Sequence, residues 1–313
     1  MNLFHQEQTE WLRFRMGHFN MDFSDLTFRN SSQRPSFHKN TVALVTGGSR
    51  GLGLELVLRL ASCGIKVINV DVMSPTHKLR EADNVYFYRC DITDHDEVKA
   101  LHEKISSEHG PVTILLNNAG ITRINTVDII THEEIKAVIA VNLIGAYIMI
   151  NTFLPDMIAE KHGFIVNIAS VLGEIAPARL TSYAASKGGL IAIHNSLARQ
   201  LCRHSKGSRS IKMLLVCPGK INTSMFARVK TPSKILAPDI DPGKLADRIV
   251  TAIRCNNITT LRYPYYVNIV PFFKQLSWPY MRLLKKCSGI DKATAVSYSY
   301  GDVSPHGHKY NCT

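Results

Sequence analysis

Val42-Ala43-Leu44-Val45, followed at once by Thr46-Gly47-Gly48-Ser49-Arg50-Gly51-Leu52-Gly53, is the stretch whose reading settles the fold. The first four residues form a short apolar run of strand type. A helical pattern begins at Leu54 and reaches Ser62, just before Gly64. A strand, a glycine-rich turn and a helix in that order open a dinucleotide-binding unit. The glycines allow a tight turn and a close approach of backbone to a pyrophosphate seated on the helix N-terminus. The spacing here is Gly-x-x-x-Gly-x-Gly, so Gly47, Ser49, Arg50, Gly51, Leu52 and Gly53 become candidate cofactor residues.

Strand and helix signals keep alternating downstream. Lys66–Val70 reads as a strand ending in Asp71, eighteen residues past Gly53. A carboxylate there accepts hydrogen bonds from adenosine ribose hydroxyls and repels the extra phosphate of NADP. It could also be an acidic strand end in solvent. Arg50 in the glycine loop is a guanidinium able to receive that same phosphate. Asp71 should dominate, so the expected cofactor is NAD, with NADP as the alternative. Val85–Arg89 is a strand, Asp94–His109 a helix and Val112–Leu116 a strand. Asp91, after the third strand, either contacts adenine or caps a turn. Asn117-Asn118-Ala119-Gly120 ends the fourth strand, where open parallel sheets bind ligands, which makes Asn118, Ala119 and Gly120 cleft candidates.

Thr131 with Glu134 is a capping box that opens a long apolar helix through Ala140, Ile148 and Met157. Asn142 inside it is either a satisfied buried amide or a functional one. Phe164–Ile168 is a strand, followed by Ala169-Ser170. A helix runs from near Tyr183 to about His204, and the strand Met213–Val216 leads into Cys217-Pro218-Gly219. A polar segment reaches Asp241, and Pro242–Cys255 is a further helix. This alternation from 41 to about 260 predicts α/β architecture with a doubly wound parallel sheet (a Rossmann fold) in a single domain.

Ser182-Tyr183-Ala184-Ala185-Ser186-Lys187 carries the chemistry. Tyr183 and Lys187 fall on one helix face, one turn apart. A neighbouring ammonium favours a phenolate, so Lys187 is expected to lower the Tyr183 pKa toward neutrality. A phenol of that kind can act as a general acid or base. Taken alone, a Tyr and a Lys four apart on a helix surface are usually a solvated pair, and the rest of the chain has to decide.

The 313 residues carry a net charge of +12, with Lys and Arg clustered at 199–234 and at Lys274, Arg282, Lys285 and Lys286. No nucleic-acid-binding motif accompanies the charge, so no nucleic-acid partner is expected. The seven cysteines are odd in number and without a CxxC pair, which suits a reducing compartment. The histidines show no metal-ligand spacing, and no metal is expected. Nothing resembles a signal peptide, so the expectation is a cytoplasmic, non-secreted protein.

Residues 1–40 form an N-terminal arm, in which Leu12, Met16, Phe19 and Phe23 recur at near-helical spacing. The tail, 261–293, is aromatic and basic. Tyr263–Phe273 is uncharged but only eleven residues long and broken by prolines, too short to span a bilayer. With Trp278, Tyr280 and the flanking Lys274, Arg282, Lys285 and Lys286, the segment 263–288 has the composition of a peripheral membrane contact. The competing reading is that it folds over the substrate cleft or packs on another subunit. Residues from 294 onward are expected to be disordered.

These residues together resemble the short-chain dehydrogenases/reductases over roughly 41–260. The matching features are Thr46–Gly53, Asp71, Asp91, Asn117–Gly120, Asn142, Ser170, Tyr183-x-x-x-Lys187, and Pro218-Gly219 with Thr223. The resemblance implies that Tyr183 exchanges a proton with the substrate oxygen, while Lys187 lowers its pKa and holds the nicotinamide ribose. It implies that Ser170 hydrogen-bonds the substrate oxygen and that Asn142 holds a water linking Lys187 to solvent. Gly47, Gly51 and Gly53 would cradle the pyrophosphate, Asn118 would line the cleft, and Thr223 would contact the cofactor.

The tail, with Leu283-Leu284-Lys285-Lys286 before Gly289-Ile290-Asp291-Lys292, resembles the branch of retinol and hydroxysteroid dehydrogenases of lipid droplets and endoplasmic reticulum. That branch implies a small lipophilic substrate, a homodimer and a peripheral site on those membranes. The alternatives are an NADPH-dependent carbonyl or ketoacyl reductase and, from another class, a cofactor-bound membrane scaffold with little activity. The intact Asn142, Ser170, Tyr183 and Lys187 set argues against the scaffold.

Overall fold

Successive side chains of a strand point to opposite faces of its sheet, and the first strand, β1 (Val42–Thr46), follows that rule. Ala43 and Val45 pack on one side with Leu56, Leu60, Leu245 and Ile249, while Val42 and Leu44 pack on the other with Ile105, Met149 and Phe153. All five residues are buried, as a strand covered on both faces must be. The computed structural model describes residues 37–38, 40–203, 210–227, 229, 237–257, 260–273 and 279–280. Nearly all of the expected N-terminal arm, and the expected disordered residues from 294 onward, lie outside the described residues.

Seven parallel strands form the sheet in the order β3-β2-β1-β4-β5-β6-β7. After β1 they are β2 (Lys66–Asp71), β3 (Val85–Arg89), β4 (Ile114–Asn117), β5 (Gly163–Ile168), β6 (Ile211–Pro218) and β7 (Thr260–Tyr263). The helices between them are α1 (Gly51–Ser62), α2 (His77–Arg80), α3 (His95–His109), α4 (His132–Ile139), α5 (Ala146–Ala159), α6 (Thr181–Arg203) and α7 (Pro242–Arg254), with a short α8 (Val270–Phe273) after β7. Strand order reverses between β1 and β4, and the crevice at their carboxyl ends is where such a sheet takes a ligand.

The long helix expected from Thr131 is interrupted. The capping box forms, with Thr131 Oγ1 accepting from Glu134 N and Glu134 Oε2 from Thr131 N, both at 3.2 Å. Between α4 and α5, Ala140–Gly145 then winds as a π-helical turn that contains Asn142. Such wide turns re-aim side chains at functional sites.

The seventh strand was not foreseen, and it lies where the sequence reading placed the tail. Arg262 pairs with Cys217 in register, and beyond Pro264 a 3₁₀ turn (Tyr265–Asn268) leads into α8. Val267 and Val270 are buried against Val171, Leu172 and Ile175, so this part of the tail packs over the segment following β5.

Candidate active site

The glycine turn is held by a small set of polar side chains. Thr46 Oγ1 accepts from Asn118 N and Ala119 N, both at 3.0 Å. The Asn118 amide donates to Thr46 O at 2.9 Å and Gly47 O at 3.2 Å. Asn118 therefore ties the end of β4 to the turn. Gly47 has φ of +65° and Gly51 of +57°, conformations that exclude most side chains. At Gly53, a Cβ would collide with the Gly47 carbonyl and the Asn118 amide.

Arg50 precedes α1 in extended conformation, no side chain caps that helix, and its first turn carries no acidic residue. An uncapped helix N-terminus beside a glycine turn offers backbone N–H groups and a positive dipole end to an anion. A pyrophosphate fits it. Thr223 closes the opposite side, its methyl carbon 3.3 Å from where a Gly51 side chain would begin. Leu52 is buried in the core and contributes its backbone only.

Asp71 ends β2 at 9% exposure. Its Oδ2 accepts from Ser49 N at 3.0 Å and its Oδ1 from Met73 N at 2.9 Å. The carboxylate thus fixes the glycine loop and keeps lone pairs for a ribose, and the exposed apolar Val72 and Met73 follow it. Asp91 makes a local turn contact. Exposed after β3, its Oδ1 accepts from Thr93 N and Thr93 Oγ1 at 2.9 and 2.8 Å, which caps a turn. Pro218 ends β6, and Gly219 N donates to Tyr263 O at 2.8 Å beneath the Tyr266 hydroxyl.

The proton-transfer residues converge from three elements. Ser170 ends β5, Tyr183 and Lys187 lie one turn apart in α6, and Asn142 sits in the π turn, all four at 5% exposure or less. Ser170 hydrogen-bonds the Tyr183 phenol. Lys187 Nζ donates to Ile168 O at 2.8 Å and lies 5.9 Å from the centre of the Tyr183 ring. A Cβ on Gly120 would lie 3.3 Å from Asn142 Oδ1 and 3.5 Å from Lys187 Nζ, so Gly120 leaves open the space between them.

The Asn142 side chain is engaged in bonds to the protein. Its Oδ1 accepts from Ile121 N at 2.8 Å, and its Nδ2 donates to Ile121 O at 2.9 Å and to Ser186 Oγ at 3.0 Å. Ser186 Oγ in turn donates to Tyr183 O at 2.7 Å. The side chain is therefore a brace between the strand-end loop and α6. Ser186 had been given no role, although its position three residues after Tyr183 places it on the helix face toward Asn142.

The expected lowering of the Tyr183 pKa is corrected. Burial pushes the phenol up to about 12, opposed by the Ser170 hydroxyl. Burial also pushes Lys187 down to about 8, partly offset by Cys217. Desolvation disfavours the charged form of each and is the largest cause of both shifts. Tyr183 is thus a protonated donor at neutral pH, beside a lysine that titrates close to it. Tyr183 packs within an apolar cluster of Val138, Leu180 and Phe226, against which Ile121, Ile124, Leu172 and Val229 also pack. Phe226 meets the Tyr183 ring edge-on at 5.6 Å.

This sheet, turn and tetrad define a class, and residues 41–234 match the family described as short chain dehydrogenase. The chain belongs to that family and is an NAD(P)-dependent oxidoreductase. It is similar to the "uncharacterized oxidoreductase YDL114W" of Saccharomyces cerevisiae, 50% identical over 280 residues that cover 88% of this chain and 91% of that one. It is also similar to the 3-oxoacyl-[acyl-carrier-protein] reductase FabG of Escherichia coli, 36% identical over 68% of this chain and 87% of that one. A solved short-chain dehydrogenase from Streptomyces avermitilis shares the fold, with a TM-score of 0.66 and 23% identity over 79% of this chain and 97% of that one.

Proposed function

We propose that this enzyme moves a hydride between NAD and a lipophilic alcohol or ketone of retinoid, steroid or fatty-chain type. The observation that carries this reading is the apolar cluster that holds Tyr183, in which Leu180 and Phe226 are joined by Ile121, Ile124 and Leu172. A substrate oxygen reaching Tyr183 must bring apolar surface with it, and burial of that surface favours binding by about 25 cal/mol per Å².

The nicotinamide supplies or accepts the hydride. In reduction, Tyr183 donates its proton to the carbonyl oxygen while the Ser170 hydroxyl stabilises the developing charge. Lys187, lowered to about 8 by burial and lying 5.9 Å from the ring centre, is the group that restores the phenol's proton. In oxidation each proton runs backward. NAD is favoured because the Asp71 carboxylate stands at the ribose end of the cleft, where a 2′-phosphate would meet a like charge.

A second reading, an NADPH-dependent ketoacyl reductase using Arg50, is favoured by the similarity to the Escherichia coli reductase. A homodimer and a peripheral site on endoplasmic reticulum or lipid droplets complete the proposal. The dimer is supported by His132–Ala159, an apolar stretch of which less than half is buried, with Ile144 and Tyr147 exposed. The membrane site is supported by exposed Tyr265, Ile269 and Phe272. A panel of lipid alcohols and ketones with both nucleotides, read by nicotinamide absorbance, tests the reading. Turnover of acyl thioesters alone, with NADPH, would hand the decision to the second.

A further inference from the structure

The turn that follows Ser170 is held from three directions. Gly173 lies on the backbone of α6, where a Cβ would meet Lys187 C at 2.7 Å and Gly188 N at 2.8 Å. Val171, Leu172 and Ile175 pack on Tyr266, Val267 and Val270. From the third side Glu174, its side chain 6% exposed, accepts a hydrogen bond from Arg262 Nη2 on β7 at 3.0 Å. Arg262 is itself set in the sheet opposite Cys217, and its neighbour Tyr263 lies under the Arg248 guanidinium at 4.3 Å.

Glu174 Oε2 and Arg262 Nε are both buried without a hydrogen-bond partner among the described residues. A largely buried carboxylate joined to a half-buried guanidinium through one bond recovers little of its desolvation cost, so net stability is a poor account of the pair's role. What it does fix is position. Leu172 N donates to Ser170 Oγ at 3.1 Å and Gly173 N to Ser170 O at 3.0 Å, so the turn anchored by Glu174 is the turn that aims Ser170.

We propose that Glu174 and Arg262 are a positioning pair, which seats the 171–175 turn between β7 and α6 so that Ser170 is held toward Tyr183 and Gly173 is held against Lys187. The proposal rests on the reading of Tyr183, Lys187 and Ser170 as the reaction site. Neither residue of the pair touches the reacting atoms. Both act through Ser170, and the same turn couples the tail (Val267, Val270) to the chemistry. The glycine turn, Asp71 and Thr223, which offer the anion and ribose contacts described above, are not touched by the pair, so most of the nucleotide affinity is expected to be independent of it.

The test uses the full chain and a long-chain secondary alcohol with NAD as probe. Glu174→Ala and Arg262→Ala each lower kcat by about tenfold to a hundredfold, the range a misplacement of about 1 Å produces. Affinity for NAD stays within about twofold. The double variant is no worse than the poorer single, because the two act as one unit. Glu174→Gln keeps an oxygen for Arg262 Nη2 and recovers kcat to within about threefold.

Glu174→Asp keeps the charge, withdraws the acceptor by one methylene, and serves if the alanine variants do not fold. It also loses about tenfold in kcat. Values within twofold of wild type for Glu174→Ala or Glu174→Asp, or additive losses in the double variant, overturn the proposal. If the wild type turns over no alcohol or ketone, the reaction-site reading has failed by itself. Hydrogen exchange at Leu172 and Gly173 then decides the clamp, with about tenfold faster exchange in Glu174→Ala supporting it and equal rates overturning it.

Discussion

Replacing Lys187 by methionine removes a buried ammonium and leaves a chain of similar length in its place. Burial lowers the Lys187 pKa from 10.5 to about 8, a bias of about 3 kcal/mol against the charged form in the folded protein. Against that stands the bond from Nζ to Ile168 O, worth about 1–3 kcal/mol for a charged donor. At pH 7 the methionine variant is therefore expected to be as stable as wild type or more stable by about 1–2 kcal/mol. The pH dependence is the sharper quantity. Between pH 8 and 10.5 the unfolded chain keeps the lysine proton that the folded chain has lost, so stability of the wild type rises with pH across that window. About 2 kcal/mol of the gain falls between pH 8 and 10, and the variant lacks it. Tyr183, pushed up to about 12, loses stability above pH 10 in both proteins and cancels in the comparison. Urea midpoints of the two proteins at pH 7, 8, 9 and 10 give the difference directly. A gap that stays constant, or that widens in favour of methionine as pH rises, refutes the account of a desolvated lysine.

Asp71→Ala removes the acceptor of both Ser49 N and Met73 N, so NAD affinity should fall about tenfold or more while NADP loses less and the preference narrows. Dissociation constants for both nucleotides check this, and an unchanged NAD affinity contradicts it. Changing Tyr265, Ile269 and Phe272 together to serine should weaken sedimentation with anionic vesicles while changing the unfolding free energy by no more than about 0.5 kcal/mol per substitution, because all three are exposed. By contrast, Val267→Ala, at a fully buried position, should cost about 1–3 kcal/mol.

Six of the seven strands were legible in the sequence because each is a short apolar run bounded by glycine, proline or a polar turn. The seventh was not. Thr260–Tyr263 contains Arg262 and is partly buried along its length, so it carries neither the apolar run nor the clean alternation that marks a strand. The π turn at Ala140–Gly145 was equally hidden, since hydrophobic periodicity runs through it and only the backbone winding reveals it.

At the site, the residue types and their order were readable, but their environments were not. Spacing put Lys187 one turn from Tyr183, and only burial showed that desolvation, not charge pairing, governs both pKa values. Asn118 and Asp71 sit where they were expected. Their bonds to Gly47 and Ser49 show that each also shapes the loop it was expected to use for binding. Glu174 and Arg262, 88 residues apart, had no local pattern to join them.

The central claim is that the Tyr183 phenol carries the proton at a site already built to hold the nucleotide. The most direct measurement is kcat for Tyr183→Phe on the best alcohol or ketone of the panel, together with the NAD dissociation constant. Phenylalanine keeps the edge-on contact with Phe226 and removes only the hydroxyl. The account predicts a fall in kcat of about 10²-fold or more, the scale of a lost general acid, with NAD binding within about twofold of wild type. Turnover that survives the loss of the hydroxyl would contradict it.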